Sequence, residues 1–157
     1  MTPDLSLSVQ YGVQEARLPR WRLRRWAERA LAGAAEDGLV DFSAAELSLR
    51  LVGTAEGRKL NREFRGRDYA TNVLTFEYGV DPLGVARGDI VMCVPVLVRE
   101  AREQRKDLLD HAAHLTIHGV LHALGYDHIK ARDAKRMEAL ETATLARIGI
   151  ADPYVAA

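Results

Sequence analysis

Five histidines, His111, His114, His118, His122 and His128, fall within 18 consecutive residues of a 157-residue chain that has none elsewhere. Chance rarely concentrates imidazoles so tightly, so the segment has a use for them. Leu108 to Leu124 reads as a helix. On it His118 and His122 stand at i and i+4 and project from one face, about 6 Å apart along the axis. A straight helix cannot bring His114, His118 and His122 to one ion. The outer two would stand about 12 Å apart, against metal–nitrogen bonds near 2 Å. Gly125 then interrupts the pattern. A glycine just past a helix end readily takes the left-handed conformation that reverses the chain. Residues 126–128 can therefore fold back and set His128 opposite the pair.

The string His118-Gly-Val-Leu-His122-Ala-Leu-Gly125-Tyr-Asp-His128 has the HxxxHxxGxxH spacing of the metzincin zinc site, glycine included. Three neutral histidines leave a fourth coordination position open, as catalytic rather than structural zinc sites do. The expected cofactor is one Zn2+ held by His118, His122 and His128 plus water, although other divalent ions bind imidazole too. His111 and His114 are left as surface, supporting or substrate-facing groups, with the surface role preferred. Tyr126 and Asp127 either orient ligands through hydrogen bonds or serve the turn. One departure bears on the chemistry. Zinc proteases carry a Glu after the first His as general base, and here that position is Gly119. A peptidase would need Asp127 or another carboxylate in its place. Phosphodiester hydrolysis at a metal site needs no such Glu, but its transition state gathers negative charge and calls for a cation.

Arginine supplies the cation. The formal net charge is zero, with 22 Lys+Arg against 22 Asp+Glu. Residues 1–67 nevertheless carry 12 basic and 9 acidic side chains, and the remainder 10 and 13. Eighteen of the bases are Arg, bunched at Arg17 to Arg29 and in the basic stretch Arg58 to Arg67. Arg is the side chain suited to phosphate forks and base stacking. Neutrality overall therefore leaves room for a basic approach surface.

The rest of the chain sets the frame. Its length suits one domain, residues 1–157. The single cysteine, Cys93, rules out an intrachain disulfide or a CxxC motif and reads as a buried small hydrophobe. No signal-peptide pattern opens the sequence, and the longest apolar run, Ile90 to Val98, is too short for a bilayer and contains Pro95. A cytoplasmic location without a membrane partner is the expectation. Period-two alternation marks strands at Leu5–Val9 and Glu46–Leu51, and Val73–Phe76 and Asp89–Val94 are further strand candidates. Helical spacing marks Trp21–Leu31 after Pro19, and Thr54–Phe64 with Thr54 as N-cap. Val96–Arg105, Leu108–Leu124 and Ala131–Arg147 complete the helices. The fold class expected is α+β, a small mixed sheet of about four strands packed with helices.

With these residues in place, the chain resembles the YbeY family of rRNA-maturation endoribonucleases. The histidine block carries the likeness, together with Leu60 to Phe76, Gly88-Asp89-Ile90-Val91 and the tail Gly149-Ile-Ala-Asp-Pro-Tyr154. Residues 1–59 fit only in their strand–helix–strand arrangement. The resemblance implies a zincin-like, metal-dependent hydrolase fold and a single-strand-preferring endoribonuclease acting in small-subunit rRNA maturation and ribosome quality control. It implies RNA and the small ribosomal subunit as partners, with no DNA. It places the metal on His118, His122 and His128 and the functional arginine at Arg65. Arg67 stands where the family often has Lys. Asp68, Thr71 and Asn72 serve either the turn before a strand or the substrate. Two nucleophiles stay open, a water or the RNA's own 2′-OH. The rival readings are a metallopeptidase or small-molecule hydrolase on the same histidines, and a non-catalytic assembly factor with structural zinc.

Overall fold

A computed structural model describes residues 2–155. The elements run β1 (Asp4–Tyr11), α1 (Arg20–Asp37), β2 (Ala44–Val52), α2 (Thr54–Arg65), β3 (Val73–Val80), β4 (Val85–Cys93), α3 (Val94–Glu103), α4 (Leu108–Ala123) and α5 (Ala131–Arg147). The four strands form one sheet in the order β1-β2-β4-β3. β1, β2 and β4 are parallel, and β3 is an antiparallel edge. This is the expected α+β class with a mixed sheet.

The alternation in the sequence follows from a sheet whose main core lies on one face. Ala45, Leu47, Leu49 and Leu51 of β2 and Ala86, Ile90 and Met92 of β4 are buried, while Glu46, Ser48, Arg50, Arg87 and Asp89 between them are not. The buried set shares one core with Leu23, Trp26, Ala27, Ala30, Leu31 and Ala34 of α1 and with much of α4. α4 is buried almost all round, as a central helix is. Its start is fixed by Asp107, whose carboxylate accepts the Leu109 N–H at 2.9 Å. A smaller cluster of Val52, Cys93 and Val96 lies apart from the main core, and Cys93 is the buried hydrophobe its setting suggested.

Several boundaries differ from the sequence reading. β3 runs to Val80 because Glu77, Tyr78 and Gly79 extend an exposed edge that has no apolar pattern to announce it. β4 begins at Val85, earlier than Asp89, because the hairpin turn is confined to residues 81–84. Asp81 makes that turn, its carboxylate accepting the N–H groups of Leu83 and Val85 at 2.8 and 3.0 Å. Thr54 is not the N-cap of α2. Gly53 occupies that position, with no side-chain capping bond. α3 begins at Val94 rather than Val96, with Pro95 in its first turn, where its missing N–H costs nothing. No helix among the described residues is long and apolar enough to cross a membrane.

Candidate active site

The end of α4 builds the site. The N–H of Gly125 donates to the His122 carbonyl and that of Tyr126 to the Leu121 carbonyl, both at 3.0 Å. This is the paired bonding of a Schellman motif. Gly125 takes φ 115°, a value that favours glycine. The chain reverses there, and Asp127 tightens the return by accepting the N–H groups of His128 and Ile129 at 2.7 and 3.0 Å. The reversal brings the ring of His128 to 5.4 Å from His118 and 5.6 Å from His122, centre to centre, while His118 and His122 stand 6.4 Å apart.

Hydrogen bonding separates the five imidazoles into two kinds. His118 Nδ1 lies 2.8 Å from the Glu141 carboxylate, and His122 Nδ1 lies 2.8 Å from the Tyr126 carbonyl. Both partners are acceptors, so Nδ1 donates in each ring, and in the neutral imidazole it is Nε2 that carries the lone pair. His111 and His114 are turned the other way. Their Nε2 atoms meet Glu100 at 3.0 Å and Glu141 at 2.8 Å, and their buried Nδ1 atoms have no partner among the described residues. Neither is a surface group, since their side chains are only 4% and 12% exposed. The surface reading of this pair is therefore corrected. His111 is buried and His114 largely so because α4 is enclosed, and each meets a carboxylate from a neighbouring helix through Nε2 alone. Tyr126 serves His122 through its carbonyl, whereas Asp127 serves the turn.

Among the described residues, no group of three or more His, Cys, Asp or Glu side chains stands in a geometry that would hold a metal ion as it is. The donor set nevertheless fits a cation. A tetrahedral zinc with bonds near 2 Å holds imidazole centres about 5 Å apart, and His128 already lies close to that distance from both partners. The widest gap, between His118 and His122, closes with an adjustment of about 1 Å within ordinary side-chain motion. The Nδ1 contacts of His118 and His122 leave Nε2 of each ring as the nitrogen available to a metal.

The three histidines line a cavity of about 520 Å³ together with Arg65, Arg67, Thr71, Asn72 and Thr75. Arg65, at the end of α2, donates from Nη2 to the Thr75 carbonyl at 2.8 Å and lies over the Phe76 ring at 5.5 Å. One edge of the guanidinium is thereby fixed while the side chain stays exposed. The rest of the basic stretch is not uniformly free. Arg58 grips Asp68 through two bonds of 2.8 Å, and that cation beside it holds the Asp68 carboxyl below its ordinary range. Arg67 donates to the Tyr69 hydroxyl at 3.2 Å. Asn72 accepts the Val73 N–H at 2.6 Å and donates to Glu100, so it serves the turn and the α3 contact while also bordering the cavity. Thr71 faces the same space.

Gly119 explains why the usual acid is missing. A Cβ there would lie 2.9 Å from Cγ2 of Ile90 and 3.5 Å from Cγ2 of Val73. The helix rests on the sheet at this point, and any side chain there would have to displace Ile90.

Sequence reasoning missed Glu141 and Tyr154. Glu141 is fully buried in α5. Burial alone would raise its carboxyl, but hydrogen bonds from His114, His118 and the Tyr154 hydroxyl hold it down to about 2. The same contact, with burial foremost, pushes the Tyr154 hydroxyl well above the ordinary phenol range. A Glu in a charged helix gives no sign in the sequence of the two histidines it will meet.

The fold and cleft define a small α+β protein in which three histidines and an anchored arginine line one cavity. Comparison with known proteins gives the family. The family described as Endoribonuclease YbeY matches residues 9–149. A Bordetella pertussis protein named Endoribonuclease YbeY is 80% identical over 157 residues, covering all of both chains. One of the same name from Acidovorax sp. is 52% identical, covering 98% of this chain and 97% of its own. The chain belongs to the endoribonuclease YbeY family. Among solved structures, the solution structure of TM1509 from Thermotoga maritima shares the fold at TM-score 0.62 and 24% identity, covering 90% of this chain and 88% of the other.

Proposed function

We propose that the protein is a zinc-dependent endoribonuclease that cleaves single-stranded RNA, acting in small-subunit rRNA 3′-end maturation and ribosome quality control. The observation that carries the reading is the pair of bare Nε2 atoms on His118 and His122, set beside His128 in a cavity that also holds Arg65. His118, His122 and His128 are the residues that would hold the ion. A bound divalent cation supplies Lewis-acid chemistry, drawing charge from a phosphoryl oxygen and making water more acidic.

The chain's own residues do the rest. Glu141 and the Tyr126 carbonyl fix the tautomers of two histidines. Arg65, anchored on Thr75 and Phe76, keeps further N–H donors for a phosphate oxygen, and a pre-positioned guanidinium loses little freedom when it engages. The exposed, polar cavity mouth suits a flexible strand. A peptidase is disfavoured on two grounds. Gly119 leaves no space for the acid, and Arg65 already occupies the Thr75 carbonyl of the edge strand along which a peptide would pair.

The test is a double substitution, His118→Ala with His122→Ala. Zinc occupancy and cleavage of single-stranded RNA are both expected to disappear while the fold persists. Full nuclease activity in the metal-free double variant would sink the reading. Product ends separate the two nucleophiles, since attack by the RNA 2′-OH leaves a 2′,3′-cyclic phosphate and attack by water does not.

A further inference from the structure

The carboxylate of Glu141 is fully buried and meets three donors. One oxygen takes His118 Nδ1 at 2.8 Å; the other takes His114 Nε2 at 2.8 Å and the hydroxyl of Tyr154. Tyr154 comes from the C-terminal segment. That segment is pinned by Lys106 Nζ on the Pro153 carbonyl at 2.9 Å and by Asp152, which accepts the Tyr154 N–H at 2.8 Å. An apolar side chain at position 141 would join α5 to α4 without the cost of burying a charge. What the carboxylate adds is one defined tautomer of His118 and a more basic Nε2 on the cavity side.

We propose that Glu141 is a positioning residue for cation binding, and that the C-terminal segment completes it through Tyr154. The affinity of the cleft is thus set from the far side of the helix, through the tail. His114 is the third member, filling the oxygen it shares with Tyr154 so that the carboxylate cannot rotate away from His118. The inference rests on the reading that His118 is a ligand.

The experiment uses the full chain, stripped of metal. Zn2+ affinity is measured by competition with a chromophoric chelator in the parent, Glu141→Gln, Tyr154→Phe and His118→Ala. NMR of the imidazole nitrogens reports the His118 tautomer before metal is added. Glu141→Gln is expected to bind Zn2+ about ten- to a hundredfold more weakly, with His118 turning into a mixture of tautomers. Tyr154→Phe removes one hydroxyl from a half-exposed tail residue, so the fold is not at stake, and a several-fold loss of affinity is expected. The thermal midpoint of the metal-free Tyr154→Phe protein should stay within a few degrees of the parent, which separates positioning from a structural role. Parent affinity and a single His118 tautomer in folded Glu141→Gln would overturn the proposal. If that variant does not fold, parent affinity in Tyr154→Phe overturns it instead. Loss of Zn2+ binding in His118→Ala beside parent-like Glu141→Gln and Tyr154→Phe defeats this inference alone. Undiminished binding in His118→Ala defeats the metal site itself.

Discussion

Restoring the protease acid by Gly119→Glu should destabilise the protein without creating a peptidase. The magnitude follows from the contact between α4 and the sheet. The first atom added at position 119 meets Ile90 Cγ2 at 2.9 Å. Ile90 is fully buried, and its branched side chain has little rotamer freedom with which to yield. For Gly119→Ala, overpacking costs about 1–3 kcal/mol, and about 1 kcal/mol returns because Ala prefers the helix. The net loss is about 0–2 kcal/mol. Glu adds more methylenes and a carboxyl that would be left among Ile90 and Val73 without a partner, so its cost passes about 4 kcal/mol. That is a large share of the 5–15 kcal/mol typical of a whole domain. Urea unfolding of the metal-free parent and both variants reads these losses directly. A folded Gly119→Glu protein as stable as the parent would refute the reasoning, because the carboxyl would then have found a way out toward the cavity. A casein-cleaving Gly119→Glu protein would refute it further.

Other substitutions probe the remaining parts of the account. Arg65→Ala should lower RNA cleavage by about a hundred- to a thousandfold, the loss usual for one donor to a developing anion. Zn2+ affinity and folding should be unchanged, and near-parental cleavage would remove Arg65 from the chemistry. Arg65→Lys keeps charge but not the fork, and should recover only part of the rate. The Cys93 thiol is pushed up by burial, so its reactive thiolate is scarcer at a given pH than that of a free cysteine. Alkylation of the native chain at pH 8 should therefore be much slower than in urea, rising with pH. Equal rates in the two states would show the thiol to be exposed.

Much of the site was legible because its determinants are local. The i and i+4 positions of His118 and His122 lie on one helix, and the turn that returns His128 is made by the very next residues. Each follows from helix geometry without knowledge of the sheet. The strand alternation of β2 was legible for the related reason that one face of the sheet is largely uncovered, so buried and exposed residues take turns. What could not be read is long-range. His111 and His114 carry the same letter as His118, His122 and His128, and only the carboxylates of Glu100 and Glu141, brought in by α3 and α5, set their rings apart. Gly119 announced a missing acid, but the reason, Ile90 beneath it, is a contact between elements about thirty residues apart. The edge of β3 escaped notice because an exposed strand needs no apolar pattern.

The central claim is that one cation, held by His118, His122 and His128, makes this cleft a nuclease. The most direct measurement is a Zn2+ titration of the metal-stripped protein, with bound metal and single-stranded RNA cleavage followed in the same samples. One ion per chain, with cleavage rising in step with occupancy and vanishing again on chelation, is the expected result. Cleavage at full rate before any metal is added would contradict it.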